Sequence, residues 1–360
     1  MRKLLFIDIK DKKFYSKNKD TASSKPRIDT EIIANQLGFQ TISIYNYFLG
    51  IEASSLIIKI LFSTRILQLI NNILFFFQSF RLSFCKNSIL FLQYPFFNKR
   101  IVSRLKRLKK NNKLIILVHD LESFRSSEKR DNEIDTFNLA DILIVHSNAM
   151  MKTLQDNGCH CNFTILEFFD FLNDYQANKP IETKRINVLY AGNLTKSKFI
   201  SDLSSIQYRN NLCFYLYGRY DSTIKTNDTI VYKGVFSNDH IENVEGNWGL
   251  VWDGNSVETC QGVNGEYLRL NAPYKMSLYL ALGIPVIVWS KSAMAEYVKK
   301  YNLGICVDKL QDIEDCILSM NTNQIDIIAK RIKEISLKVK SGEMLTKALD
   351  ESISILENGH

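Results

Sequence analysis

Gly249-Leu-Val-Trp-Asp-Gly-Asn-Ser-Val-Glu-Thr-Cys260, followed by Gly265-Glu-Tyr-Leu-Arg269, Asn271-Ala-Pro-Tyr-Lys275 and Gly283-Ile-Pro-Val-Ile287, contains the alternation that decides the fold. Gly249 to Trp252 is a short apolar run of strand type, and Pro285 to Val288 is another. Between them, Asn271 as a capping residue with Pro273 close behind predicts the start of a helix. Strand, helix and strand in this order predict two parallel strands joined by a crossover. A helix start also presents unpaired N–H groups and the positive end of the helix dipole, to which Lys275 adds a full charge. The segment is therefore read in two ways, as an ordinary helix start and as a place for an anionic group such as a phosphate.

The same alternation extends in both directions. Leu4 to Ile9, Thr41 to Ile44, Ile89 to Leu92, Leu114 to Val118 and Ile142 to Val145 are strand-like runs separated by helical stretches. A second set comprises Asn187 to Ala191, Cys213 to Tyr217, Ile230 to Lys233, Gly249 to Trp252, Pro285 to Val288 and Gly304 to Val307. The expected fold class is α/β, with two Rossmann-like, doubly wound parallel sheets facing a central cleft. Residues 1–170 form the first unit and 185–322 the second, with a polar linker at 171–184 that contains Pro180. Residues 323–360, helical in propensity and interrupted by Gly342, are expected to pack back across the first unit. Ligands of such sheets sit beyond the carboxyl ends of the strands, so the chemistry is expected between the units.

The 360 residues, 46% hydrophobic and 23% charged, suffice for two cores. Seven cysteines without regular spacing suit a reducing compartment, and Cys159-His160-Cys161 lacks the second ligand pair a metal site needs. Met1 to Asp8 reads as a first strand and not as a secretory leader, which makes the cytoplasm the expected location. Ile66 to Phe80 is apolar yet shorter than the roughly 18 residues of a spanning helix. Its polar residues Arg65, Gln68, Asn72 and Ser79 recur at helical spacing, which predicts that Leu67, Ile70, Leu74 and Phe77 face a core or an apolar partner. The net charge of +8 is concentrated in Lys99, Arg100, Arg104, Lys106, Arg107, Lys109, Lys110 and Lys113. With Ile101, Leu105 and Leu108 at helical spacing, this is a basic amphipathic helix, either simply solvated or touching anionic lipid at the inner face of the membrane.

No dinucleotide fingerprint and no phosphate loop occur. In their place Tyr190-Ala-Gly-Asn-Leu-Thr-Lys196 has a glycine where backbone can approach a ligand, and a lysine for phosphate oxygens. Taken together with the opening segment, these motifs resemble the bacterial beta-1,6-galactofuranosyltransferase family of O-antigen assembly, related to the second-step glucosyltransferases of serine-rich-repeat adhesins. The likeness runs from Asn187 to Val307. It is thinner at Lys25-Pro-Arg-Ile-Asp29, Val118-His-Asp-Leu-Glu122 and Asp141-Ile-Leu-Ile-Val-His-Ser-Asn148.

The resemblance implies a GT-B fold, a UDP-sugar held by the second unit and a glycan acceptor, lipid-linked or otherwise, entering from the first. Its donor positions fall on Gly192, Asn193, Lys196, Tyr217, Asn271 and Lys275, and Gly218 is counted with them; Asp253, which follows the strand Gly249 to Trp252, is a further candidate for a sugar hydroxyl, as is its companion Glu258. Tyr217 reads equally well as a buried strand aromatic. No Asp-x-Asp pair occurs, so the expected enzyme uses no metal and no cofactor; the lysines would meet the charge growing on the leaving UDP. Many retaining enzymes of this fold carry a glutamate pair where Leu270 and Leu278 stand here, which points to an inverting reaction. Inversion needs a general base. Asp120, after the strand Leu114 to Val118, is the first choice and Glu122 the second, although an Asp in that place also serves as a helix cap. Lys25 and Arg27 are expected in a loop ahead of a helix at Asp29 to Gln36. A glucosyl donor and a non-catalytic partner of the same fold are the competing readings. No nucleic acid partner is expected, and a homo-oligomer is left open.

Overall fold

A computed structural model describes residues 2–11, 24–46, 64–125, 133–176, 179–208, 211–219, 224–238 and 240–358. The strands of the first sheet are β1 (Lys3–Asp11), β2 (Gln40–Asn46), β3 (Ser88–Tyr94), β4 (Lys113–Val118), β5 (Ile142–Val145) and β6 (Asn162–Ile165). Those of the second are β7 (Ile186–Ala191), β8 (Leu212–Tyr217), β9 (Ile230–Gly234), β10 (Trp248–Val251), β11 (Val286–Trp289) and β12 (Gly304–Val307). Every pairing within the two sheets is parallel, in the orders β2-β1-β3-β4-β5-β6 and β12-β11-β10-β7-β8-β9. Strands such as β3 and β11 are buried along their whole length, which is why they read as continuous apolar runs. The edge strand β6 escapes a pattern search because Asn162-Phe-Thr-Ile165 is short and mixed.

The helices flanking the first sheet are α1 (Lys25–Gln36), α2 (Thr64–Phe80), α3 (Ile101–Leu108), α4 (Glu122–Arg125), α5 (Glu133–Phe137) and α6 (Asn148–Asp156). Beyond them come α7 (Val263–Tyr267), α8 (Tyr274–Ala281), α9 (Met294–Tyr301), α10 (Ile313–Leu318), α11 (Thr322–Ser341) and α12 (Glu343–Asn358). Gly342, with φ +84°, ends α11 and lets the chain turn into α12. Helix α11 bonds to α8 through Ser336 Oγ and the Ala281 carbonyl at 3.3 Å, while α12 returns to the first sheet, where Ser352 Oγ meets Thr164 Oγ1 at 3.0 Å.

Two readings of the sequence are corrected here. Lys25 and Arg27 are not in a loop: α1 begins at Lys25, because Pro26 fits a first turn where no N–H is required, and both side chains are buried. In α2 the expected apolar stripe does not face a core. Ser79 is buried, as is Asn71, whereas Leu74 and Phe77 are exposed. The cause is the open edge of β2, whose backbone needs partners. Gln78 supplies them, accepting from Tyr45 N–H at 2.8 Å and donating to its carbonyl at 3.3 Å, and Arg81 donates to the Ser43 carbonyl at 3.0 Å. The side chains of Arg65, Leu67 and Gln68 lie outside the described residues. Among the described residues no helix is long and apolar enough to cross a membrane.

Candidate active site

The carboxyl ends of β3, β4, β7 and β10 converge on a cavity of about 550 Å³ between the two sheets. In the second sheet β7 and β10 are neighbours at the point where strand order reverses, so Gly192 and Asp253 come together. Lys275, in the first turn of α8, reaches across them. Its Nζ donates to Asp253 Oδ2 at 3.0 Å, to the Trp252 carbonyl at 3.1 Å and to Tyr190 Oη at 3.1 Å, and lies 4.4 Å above the Tyr190 ring. Tyr190 was not anticipated as a site residue. Its hydroxyl also meets Ser197 Oγ at 2.5 Å, and burial followed by the Asp253 charge holds its proton far above the usual tyrosine range.

Lys196 and Asn193 are exposed at the mouth of this pocket, where the Asn193 side chain accepts from Lys196 N–H at 3.3 Å. Gly192 and Asn271 also line it. Asn271 is not the helix cap it was expected to be. Pro273 occupies that position, and the buried Asn271 Oδ1 has no hydrogen-bond partner. The following N–H, of Ala272, is drawn instead to His146 Nδ1 at 3.0 Å.

Two predicted donor residues are placed elsewhere. Tyr217 is buried with its ring 5.5 Å from Phe236, its oxygen accepts from Glu245 N–H at 2.9 Å, and it is not among the cleft-lining residues. Gly218, at φ +146°, has a packing role: a Cβ there would lie 1.9 Å from the Gly192 carbonyl oxygen, so only glycine lets β8 leave the sheet beside β7. Glu258 is exposed and pairs with Lys309 at 3.1 Å.

The opposite wall belongs to the first sheet. His119 Nε2 lies 2.7 Å from Gln93 Oε1, and its ring stacks on Phe169 at 5.1 Å. Burial, with Arg27 and His146 nearby, holds its pKa well below the ordinary histidine value, so the imidazole is neutral at pH 7. Asp120 lines the cleft and pairs with Arg125. Its pKa is raised by burial, against the opposing charges of Arg125 and Arg27. Arg27, expected in a loop, donates to the Pro95 carbonyl at 2.6 Å and lies 4.6 Å over Phe97. Glu122 turns towards Tyr94, whose hydroxyl is 3.4 Å away, and does not line the cleft.

The two walls are tied by buried polar contacts. Leu121 N–H donates to Tyr267 Oη at 2.7 Å and Ser147 Oγ to the Leu270 carbonyl at 2.7 Å. His146 Nε2 contacts the Val118 carbonyl at 2.7 Å, so this neutral imidazole bridges β4 to the start of α8. Among the described residues no group of three His, Cys, Asp or Glu side chains is arranged to hold a metal ion.

Comparison with known proteins gives the chain its family. Residues 188–352 match the family described as "Glucosyltransferase 3-like, C-terminal domain", and residues 12–168 match the corresponding N-terminal domain. Beta-1,6-galactofuranosyltransferase WbbI of Escherichia coli (strain K12) is 30% identical over 250 residues, covering 68% of this chain and 72% of that one. This chain belongs to the glucosyltransferase 3-like family. It is a glycosyltransferase of GT-B architecture. Glucosyltransferase 3 of Streptococcus gordonii is 26% identical over 336 residues, 90% of this glycosyltransferase and 92% of the relative. The solved structure of the lipopolysaccharide outer core galactosyltransferase WaaB superposes with a TM-score of 0.59 at 10% identity, covering 98% and 100% of the two chains. Trehalose-6-phosphate synthase OtsA gives a TM-score of 0.53 at 10% identity over 99% of each chain. The glycosyltransferase thus shares its two-sheet frame with proteins only 10% identical to it in sequence.

Proposed function

We propose that this glycosyltransferase moves a galactofuranosyl group from UDP-galactofuranose to a sugar hydroxyl of a surface glycan of O-antigen or capsule type, with inversion at the anomeric carbon. The observation that carries the reading is the juxtaposition of Lys275, Asp253 and Gly192 at the switch point of the second sheet with His119 and Asp120 on the facing wall. In this reading the diphosphate displaces Asp253 from Lys275, and Lys196 closes on it from the mouth. No divalent cation is required. Asp253, once released, accepts a hydrogen bond from a donor hydroxyl.

The Asp120 carboxylate takes the acceptor proton as the acceptor oxygen bonds to the anomeric carbon, and the bond to UDP breaks with its electrons on the leaving phosphate. A second base is favoured by one observation: His119 is neutral and directed into the same cleft. The galactofuranosyl donor follows the 30% identical relative, and a UDP-glucose donor with a glycosylated adhesin as acceptor follows the streptococcal one. A screen of UDP-sugars for slow hydrolysis and transfer, run with and without a chelator, separates them. Turnover of UDP-galactofuranose unaffected by chelation supports the proposal, and turnover of UDP-glucose alone replaces the donor.

A further inference from the structure

Among the described residues, α2 and the turn after it carry an apolar surface that packing leaves uncovered. Leu69, Ile73, Phe76, Phe77, Phe80 and Phe84 are 58%, 48%, 55%, 66%, 48% and 74% exposed. Their spacing places them along one helix face. The aromatic rings meet in two pairs, Phe76 with Phe77 at 5.8 Å and Phe80 with Phe84 at 5.5 Å, set in succession along that face. Contiguous apolar patches of this kind on a soluble fold mark contact surfaces.

The surroundings are cationic. Arg104 of α3 lies 5.5 Å from the Phe76 ring and donates to Ser83 Oγ at 3.2 Å, which places the basic helix directly beside the strip. Arg81 and Lys86 flank it along the chain, and Lys106 and Arg107 are exposed on α3. Between Glu52 and Asp120 the sequence has no acidic residue. A second copy pairing through the same face would bring these cations together around the contact, whereas an anionic surface would neutralise them. At 17 residues α2 is too short to span a bilayer but long enough to lie in its headgroup layer.

We propose that α2 lies in the surface of an anionic membrane, with Phe76, Phe77, Phe80 and Phe84 in the apolar boundary and α3 against lipid phosphates. The same end of the first sheet borders the cleft: Asn71 donates to Asn46, Asn46 donates to the Phe97 carbonyl at 3.1 Å, and Phe97 lines the cavity. A lipid-linked acceptor, a clause that rests on the function proposed above, would then reach the site from the membrane it is anchored in. The membrane contact itself does not depend on that activity.

The test is cosedimentation of the full chain with phosphatidylglycerol–phosphatidylcholine vesicles and with phosphatidylcholine alone, with thermal midpoints as a control for folding. Expected is binding to the anionic vesicles that weakens with salt and falls about tenfold in Phe77→Ser/Phe80→Ser. No binding to anionic vesicles at low salt overturns the proposal, as does binding that survives this double substitution. A dimer in solution that the same substitution dissociates, with no vesicle binding, assigns the face to a second copy instead. If the double variant does not fold, the surface variant Lys106→Glu/Arg107→Glu decides, and unchanged vesicle binding there also overturns it.

Discussion

The two walls of the cleft hold their charges by different means. On the second-sheet wall Lys275 is nearly enclosed, and each of its three donor directions is occupied by Asp253, Tyr190 or the Trp252 carbonyl. This is a self-satisfied cluster, and in the proposed reaction a diphosphate would enter it by exchanging with the Asp253 carboxylate. On the first-sheet wall the groups are instead tuned by burial: His119 and His146 are kept neutral, and the Asp120 carboxyl has a raised pKa while still facing the cavity. In the proposed reaction one wall would receive negative charge and the other a proton, a division of labour that suits transfer to an acceptor hydroxyl.

The division is broken most severely by Asp120→Asn. Turnover is expected to fall by roughly 10²- to 10⁴-fold with UDP affinity, read by calorimetry, unchanged. Near-normal turnover would move the base to His119, and His119→Gln would then show the loss. On the other wall, Lys275→Met is expected to weaken UDP binding by about 10- to 100-fold, because charge-assisted hydrogen bonds are removed. A binding constant within threefold of the wild type would take Lys275 out of the donor site.

The smallest effect concerns the seam between the walls. The pKa of His146 is lowered by burial to about 4, from an ordinary 6.5. Its contribution to stability is therefore fully present above pH 6.5 and is lost as pH falls towards 4, amounting to about 3 kcal/mol at most. His119 acts in the same direction, while Asp8 and Asp170, raised by burial to about 6 and about 8, act in the opposite one. The informative quantity is thus the thermal midpoint of the wild type minus that of His146→Gln across pH 7 to 4.5. A difference that does not shrink with acidification would remove His146 from the pH response.

Much of this cleft was legible in the sequence, for reasons that differ by residue. Gly249 could be read as a strand start from its apolar neighbours, but why it is glycine emerges only from packing: a Cβ would lie 2.3 Å from the Tyr279 ring. Asp120, Gly192, Asp253 and Lys275 could be placed at strand ends or a helix start because those are local patterns, and a parallel sheet aligns such ends on one side, where the four line one cleft. Tyr190 and Tyr267 were missed. Each reads as one more apolar residue of a strand or short helix, and only the tertiary contact shows where its hydroxyl goes. Arg27 carried a usable signal in Pro26, which marks a first helical turn.

By itself, the sequence determined the two sheets, the positions of nearly all their strands, the cationic residues at the switch point and the absence of the glutamate pair. These depend on periodicity and spacing, which the chain carries locally. The tertiary structure alone decided which face of α2 turns inward, that Tyr217 packs on Phe236, and how His146 joins the units. The physical reason is that a helix records two faces but not its neighbour. Where that neighbour is the open edge of β2, unpaired backbone groups claim the polar side, and Phe76, Phe77 and Phe80 are left outside while Phe75 joins the core.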